Sequence, residues 1–161
     1  MHRRCFSLEL GATPQVRTLW NPKRNAAWGV LSPDQRLLAY ISDDSGVGEV
    51  YIRSWPDCTR EVRISTRGGV DPLWSRDGKE LFYRDGDQFM AVQVPALTDS
   101  WIPKPQRMFT GNYLNVQHRA WDVMDEQHFI MLQPTHPDPP VAELYLVQNW
   151  LEELKRLVPI K

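Results

Sequence analysis

The chain has 161 residues, 42% hydrophobic and 24% charged, and its 19 Lys and Arg against 20 Asp and Glu leave a formal charge of −1. This balance is typical of an ordinary globular domain. Because charges of both signs are interspersed, no clustered cationic face for phosphates is predicted, which argues against nucleic acid as a partner.

Two further classes are disfavoured by the hydrophobic pattern. No window approaches the roughly 18 apolar residues that a membrane span needs, and no apolar region follows the basic start at residues 1–4. We therefore predict neither a membrane segment nor an export signal on this chain.

The first predicted strands are 6–10 and 15–20, and they read as the last two strands of a four-stranded unit. A repeat follows. VLSPDQRLLAY at 30–40 aligns with LWSRDGKELFY at 73–83, and DVMDEQHFIM at 122–131 is a weaker third copy. The copies are 43 and 48 residues apart, which is the period of propeller blades rather than of helical solenoids.

Each copy predicts short strands rich in Val, Ile, Tyr, Phe and Trp, bounded by Gly, Pro, Asp or Asn. In the third strand of a copy, apolar and polar residues alternate, so we expect one face on a neighbouring blade and the other in polar surroundings. The predicted strands are 28–31, 37–41, 49–53 and 61–65 in the first copy, 72–74, 80–84, 88–94 and 106–109 in the second, and 120–123, 128–132 and 143–147 in the third.

An aspartate recurs in the first hairpin turn of each copy, at Asp34, Asp77 and Asp125. Its carboxylate is expected to accept hydrogen bonds from backbone N–H groups just ahead of it, which is a structural role in the turn. Gly78 supplies a positive φ in the second copy.

The chain is predicted to end in a short helix, 150–158, with Asn149 as N-cap, Glu152 at the third helical position and Pro159 after its last turn. Its leucine stripe either packs on the last blade or docks a partner. The fold class is all-β: a partial, open β-propeller of about three and a half four-stranded blades with this helix. The predicted units are a half blade at 1–20, blades at 27–65 and 69–110, an incomplete blade at 118–149, and the helix.

A family resemblance rests on SPDQRLLAY at 32–40 and GGVDPLWSRDGKELFY at 68–83, which resemble the TolB-like, or WD40-like, propeller repeat. The tail QNWLEELKRLVP at 148–159 resembles that of propellers in the C-terminal, sensor-like half of some bacterial serine/threonine protein kinases. The resemblance covers residues 27 to 159. It implies a non-catalytic, C-terminal propeller fragment, from relatives that are often extracytoplasmic, although the third copy departs from the turn motif and the chain is short for a complete propeller.

Motifs for catalysis are missing from the sequence. Gly46-Val47-Gly48 lacks the rest of a phosphate loop, there is no kinase H-R-D or D-F-G motif, and no G-x-S-x-G elbow of a hydrolase occurs. The four histidines have no ligand spacing, and the run at 43–46 lacks the further acids of a calcium loop. Cys5 and Cys58 form no metal motif and are expected to be thiols, with a disulfide as the alternative. We predict no catalytic residues, no cofactor and no metal.

Recognition, if present, is expected on the loops that enter the innermost strands, because loops on a rigid scaffold carry most binding sites. The leading hypothesis is a non-enzymatic interaction or sensing module that binds a protein or peptide there. Alternatives are an accessory domain of a kinase or prolyl-oligopeptidase-type enzyme, and a truncated reading frame. Open ends also predict self-association, or pairing with the remaining blades of a parent propeller. The candidate residues for the binding face are Asn25, Arg67, Asp71, Tyr113 and Arg119.

Overall fold

A computed structural model describes residues 5–10, 13–20, 25–98, 100–114, 119–125 and 128–135. These residues contain twelve β-strands and no helix, which confirms the all-β prediction. Every predicted strand within them is present, with ends that differ by at most two residues. The predicted strand at 143–147 and the predicted helix at 150–158 lie outside the described residues. The strands are β1 Cys5–Glu9, β2 Gln15–Trp20, β3 Ala26–Leu31, β4 Leu37–Ser42, β5 Glu49–Ser54, β6 Glu61–Arg63, β7 Val70–Trp74, β8 Glu80–Asp85, β9 Gln88–Gln93, β10 Gln106–Thr110, β11 Trp121–Val123 and β12 Phe129–Met131.

The described strands form four antiparallel sheets in chain order. The first sheet is the hairpin β1-β2, the second is β3-β4-β5-β6, the third is β7-β8-β9-β10 and the fourth is the hairpin β11-β12. Within the second and third sheets each strand pairs with the next one along the chain, so both are simple meanders. The two aligned sequence copies therefore correspond to two sheets of the same topology.

The first hairpin turn is built identically in the second and third sheets. Asp34 Oδ1 accepts hydrogen bonds from the Ser32 hydroxyl at 2.6 Å and from the backbone N–H of Arg36 at 3.1 Å. Asp77 Oδ1 does the same in its own turn, with a serine hydroxyl at 2.7 Å and a backbone N–H at 3.0 Å. The residue after each aspartate has positive φ, 58° at Gln35 and 73° at Gly78. Asp125 differs, because its carboxylate accepts from the backbone N–H of His128, three residues ahead.

The second and third sheets pack face to face through a shared core. Ala39, Val50 and Ile52 point from the second sheet toward Leu81 and Tyr83 of the third, in a cluster of buried apolar side chains. The two sheets are also joined by a hydrogen bond, which the indole N–H of Trp74 donates to the backbone carbonyl of Val30 at 3.1 Å.

The outer two sheets cover the remaining faces. On one side, Trp20 of β2 lies against Tyr40, with ring centroids 5.2 Å apart, and under the guanidinium of Arg53. On the other side, Phe82 meets the edge of Phe129 at 5.1 Å and joins a second cluster with Trp121. The four sheets are thus stacked in chain order.

This stacking corrects the expected surroundings of the third strand in the second sheet, β5, whereas Gln93 on the polar side of β9 is exposed as expected. The face of β5 that was expected to meet polar surroundings carries Glu49 and Tyr51, and both are buried. Tyr51 stacks on Tyr40, with ring centroids 5.8 Å apart. The physical reason is that Trp20 of the first sheet covers the second face of the second sheet at Tyr40, so the residues beside Tyr40 on that face find partners inside.

Candidate functional site

The first strands of the second and third sheets, β3 and β7, share an unusual backbone position. Trp28 in β3 and Asp71 in β7 lie four residues before the serine of their turns, and their φ angles are 54° and 55°. The pairing register with the next strand shifts at this point in both sheets, which marks a β-bulge. Non-glycine residues seldom adopt positive φ, least of all a bulky one such as tryptophan, and such outliers cluster at binding sites.

These two residues line one pocket of about 250 Å³. Arg119, just before β11, lies on the same pocket and also precedes by four residues the position aligned with the turn serine. Equivalent positions of three successive units are therefore gathered around a single cavity. The remaining lining residues are Gly29, Val30 and Pro72.

Asp71 is the buried acid of this pocket, with only 7% of its surface exposed. Burial raises the pKa of its carboxyl group above the usual value, while the charges of Arg84 and Arg119 act in the opposite direction. No described residue donates a hydrogen bond to the carboxylate, and neither arginine forms an ion pair with it. The Asp71 oxygens are not among the fully buried side-chain atoms that lack a partner, and the residue lines the pocket, so a ligand in the pocket can reach the carboxylate.

The other buried acid among the described residues, Glu49, is the informative contrast. Its carboxylate accepts hydrogen bonds from the Ser65 hydroxyl and from the backbone N–H of Gly68, the latter at 3.1 Å. The Ser65 hydroxyl oxygen in turn accepts a hydrogen bond from the backbone N–H of Val50 at 2.8 Å. Glu49 therefore holds a loop against β5 through two hydrogen bonds to its Oε2 atom, whereas Asp71 accepts none from the described residues and has acceptor capacity left for a ligand.

Arg84 is buried beside the pocket but does not open into it. Its guanidinium donates to the carbonyl oxygens of Leu114 at 2.8 Å and Gly86 at 3.3 Å, and it lies 5.3 Å from the ring centroid of Phe89. Its Nε–H is buried and has no hydrogen-bond partner among the described residues. Arg84 thus fixes a loop carbonyl and supplies positive potential to Asp71 without touching it.

The structure brings two of the five predicted face residues together and places three elsewhere. Arg67 is 3.7 Å from the carboxylate of Asp85, in an exposed ion pair. Asn25 is bound to Asp43 through its backbone N–H at 2.8 Å and its side-chain amide at 2.9 Å. Tyr113 is half-buried, with its ring at 5.5 Å from Phe89 and roughly perpendicular to it.

A larger cavity of about 790 Å³ lies at the opposite part of the third sheet, along the β9–β10 connection. Its lysines, Lys79 and Lys104, are exposed, and Lys79 already pairs with Asp77 at 3.1 Å. No ionisable side chain that lines it is buried. We therefore take the smaller pocket, which holds a buried charge, as the candidate site.

Sequence reasoning missed Trp28 and Arg84. A signal for Trp28 was available, because it occupies the same place in the first copy as Asp71 in the second. Among the described ranges, no three His, Cys, Asp or Glu side chains gather as a metal cluster. The same residues include no helix that could cross a membrane.

A comparison of the chain with models of known protein families finds no match, and neither does a comparison with curated proteins. The functional proposal therefore rests on the geometry of the pocket and of the stacked sheets.

Proposed function

We propose that the chain is a segment of a β-propeller of the TolB-like kind, and that it acts as a non-catalytic module that binds a protein or peptide at the end where the candidate pocket opens. The observation that carries the proposal is the convergence of Trp28, Asp71 and Arg119, which are equivalent positions of three successive units, on one cavity.

The arrangement of the sheets supports the architectural half of the proposal. Two four-stranded meanders with the same turn and the same bulge follow one another and pack face to face. Their first strands, β3 and β7, are neighbours, and β11 of the fourth sheet in turn contacts β7. In a propeller the first strand of every blade lines the central channel, so β3, β7 and β11 would surround it.

The chemistry of the pocket supports the recognition half. Its lining offers an aromatic ring, a carboxylate, a guanidinium and the aliphatic surface of Val30 and Pro72, and no hydroxyl, thiol or imidazole among the described residues. Trp28 is 52% exposed although it is a large apolar side chain. Tryptophan and arginine are the residue types that most often dominate the energy of protein interfaces.

A peptide selection tests the proposal. Random peptides displayed on phage and selected on the immobilised chain should yield binders, and replacement of Trp28 by alanine should weaken them about tenfold or more. The matched control is Arg76→Ala, an exposed position in the turn that follows β7, which should leave affinity within about twofold. Failure to enrich any peptide, or binders that are equally affected by both substitutions, would refute the proposed function.

We also propose that the ends of the stack take part in association. Leu8 and Val16 form an exposed cross-strand pair on the first sheet, and Ile130 and Leu132 are exposed on or beside β12. Further blades, or a second copy of the chain, would cover these apolar side chains. Sedimentation velocity of the chain should show self-association, and a monomer at all concentrations would contradict this part of the proposal.

A further inference from the structure

The carboxylate of Asp71 has unused capacity to accept hydrogen bonds. An ionised carboxylate can accept several hydrogen bonds, yet none reaches this one from the described residues. By contrast, Asp34, Asp77 and Glu49 each accept two. Because this largely buried carboxylate lines the pocket and accepts no hydrogen bond from the described residues, the pocket is complementary to a group that brings both positive charge and N–H donors.

The cations already present do not fill this role. The terminal nitrogens of Arg84 are directed to two backbone carbonyls, so its attraction for Asp71 is only through space. Arg119 is exposed and lies on the rim of the same pocket without forming an ion pair with Asp71. A space therefore remains in front of the carboxylate.

Trp28 supplies the second feature that selects a cation. Trp28 lines the same cavity as Asp71, has 52% of its surface exposed, and has a backbone held at positive φ in the bulge. The face of an indole ring attracts ammonium and guanidinium groups more strongly than any other aromatic side chain does. Ring and carboxylate together resemble two walls of a receptor for a cation at the end of an alkyl chain.

We propose that the pocket between Trp28 and Asp71 receives the charged end of a lysine or arginine side chain from a partner polypeptide. The inference rests on the proposed function, since it takes the partner to be a polypeptide. A volume of about 250 Å³ far exceeds the ~10–15 Å³ that one water requires, so a long side chain can enter. Val30 and Pro72 provide apolar surface for its methylene groups.

An anionic guest fits less well. It would have to approach a carboxylate that is already buried, and two negative charges that share a site repel one another. Arg119 alone would attract it, from an exposed position where water and salt screen its charge. Asp71 and Arg119 consequently have opposite expected effects on a cationic guest, and this opposition makes the proposal testable.

The probes are N-acetyl-lysine N-methylamide and N-acetyl-arginine N-methylamide, with N-acetyl-norleucine N-methylamide as the uncharged control. Binding is followed on the intact chain by two-dimensional ¹H–¹⁵N spectra, which also report whether each variant is folded. Shifts should concentrate at the Trp28 indole N–H and at the amides around Asp71. The norleucine probe should produce shifts at least about fivefold smaller at equal concentration.

Three substitutions complete the experiment. Asp71→Asn, which keeps the shape of the side chain, should weaken the lysine probe about tenfold or more, since the charge–charge attraction is lost. Trp28→Leu should weaken it severalfold through loss of the ring. Arg119→Gln should tighten it severalfold, because it removes a competing positive charge from the rim.

The outcomes are decisive in both directions. If Arg119→Gln weakens a probe that carries a carboxylate, such as N-acetyl-glycine, and Asp71→Asn tightens it, the pocket is an anion site and the inference is wrong. If the norleucine probe binds as well as the lysine probe, the site recognises apolar surface and the inference also fails. Selected peptides that need Trp28 but contain no essential Lys or Arg would sink the inference while leaving the proposed function standing.

Discussion

Replacement of Phe82 by alanine should detach the hairpin β11-β12 from the sheet on which it rests. Phe82 is 1% exposed and packs against Trp121 and Phe129, which are two of the residues that anchor the hairpin. An isolated two-stranded hairpin is marginally stable in water. Within the described residues, therefore, the ordered state of the hairpin depends on this contact with the third sheet.

The size of the effect follows from the burial. Truncation of a buried phenylalanine to alanine costs about 3–5 kcal/mol, against a total domain stability of about 5–15 kcal/mol. For a chain of this length, the midpoint of thermal unfolding should fall by roughly 6–20 °C. Circular dichroism would measure the midpoint, and hydrogen exchange by mass spectrometry would measure protection of β11 and β12.

The matched control is Leu81→Ala, one residue earlier on the same strand. Leu81 is fully buried as well, but it points to the opposite face and packs toward Ile52 of the second sheet. The Leu81→Ala substitution should lower the free energy of unfolding by about 2–5 kcal/mol without a selective loss of hydrogen-exchange protection in the fourth sheet. If both variants gave the same exchange pattern, or if only Leu81→Ala exposed β11-β12, the stacking order described above would be wrong.

Three further predictions concern local contacts. Hydrogen bonds from the backbone N–H of Lys79 and from the Ser75 hydroxyl lower the pKa of Asp77 to about 2. The resulting stabilisation of the fold is complete above pH 4 and is lost as the pH falls toward 2. The thermal unfolding midpoints of the wild type and Asp77→Asn should therefore converge near pH 2. Gly69→Ala should cost about 1–3 kcal/mol in urea unfolding, because its Cβ would lie 2.7 Å from a buried serine hydroxyl, whereas Gly48→Ala meets nothing closer than 3.7 Å and should be milder. Burial raises the pKa of Tyr83 to about 12, so a tyrosinate absorbance step near pH 12 should disappear in Tyr83→Phe. The contribution of the neutral phenol to stability is complete below pH 10 and is lost as the pH rises to 12.

Strand positions and turns could be predicted because their determinants are local. The Ser-x-Asp pattern specifies a turn through side-chain bonds to the backbone within five residues, and the flanking β-branched and aromatic residues specify strands. The repeat then assigned strands to units. By contrast, the burial of Glu49 and Tyr51 on the second face of β5 depends on neighbouring sheets, and no local pattern reports how many sheets are stacked.

Half of the candidate site was within reach of the sequence. Asp71 and Arg119 could be proposed because they lie just before the first strands predicted for the second and third copies, 72–74 and 120–123. The repeat aligns Trp28 with Asp71, but a tryptophan within a strand normally indicates core, and its exposure and its place in a bulge are seen only in the structure. The ion pair of Arg67 and the amide bonds of Asn25 are long-range contacts that residue type alone does not predict.

The bulge shared by β3 and β7 has a consequence for how such a surface can change. The same positive φ and the same register shift occur in both sheets, although the residue at the centre of the bulge is a tryptophan in one and an aspartate in the other. Each of the three sequence copies thus contributes to the cavity one side chain from the same position of the repeat, and the residue type differs from copy to copy. Substitutions confined to positions 28, 71 and 119 are therefore expected to change the ligand specificity of the cavity while the surrounding strands keep their structure.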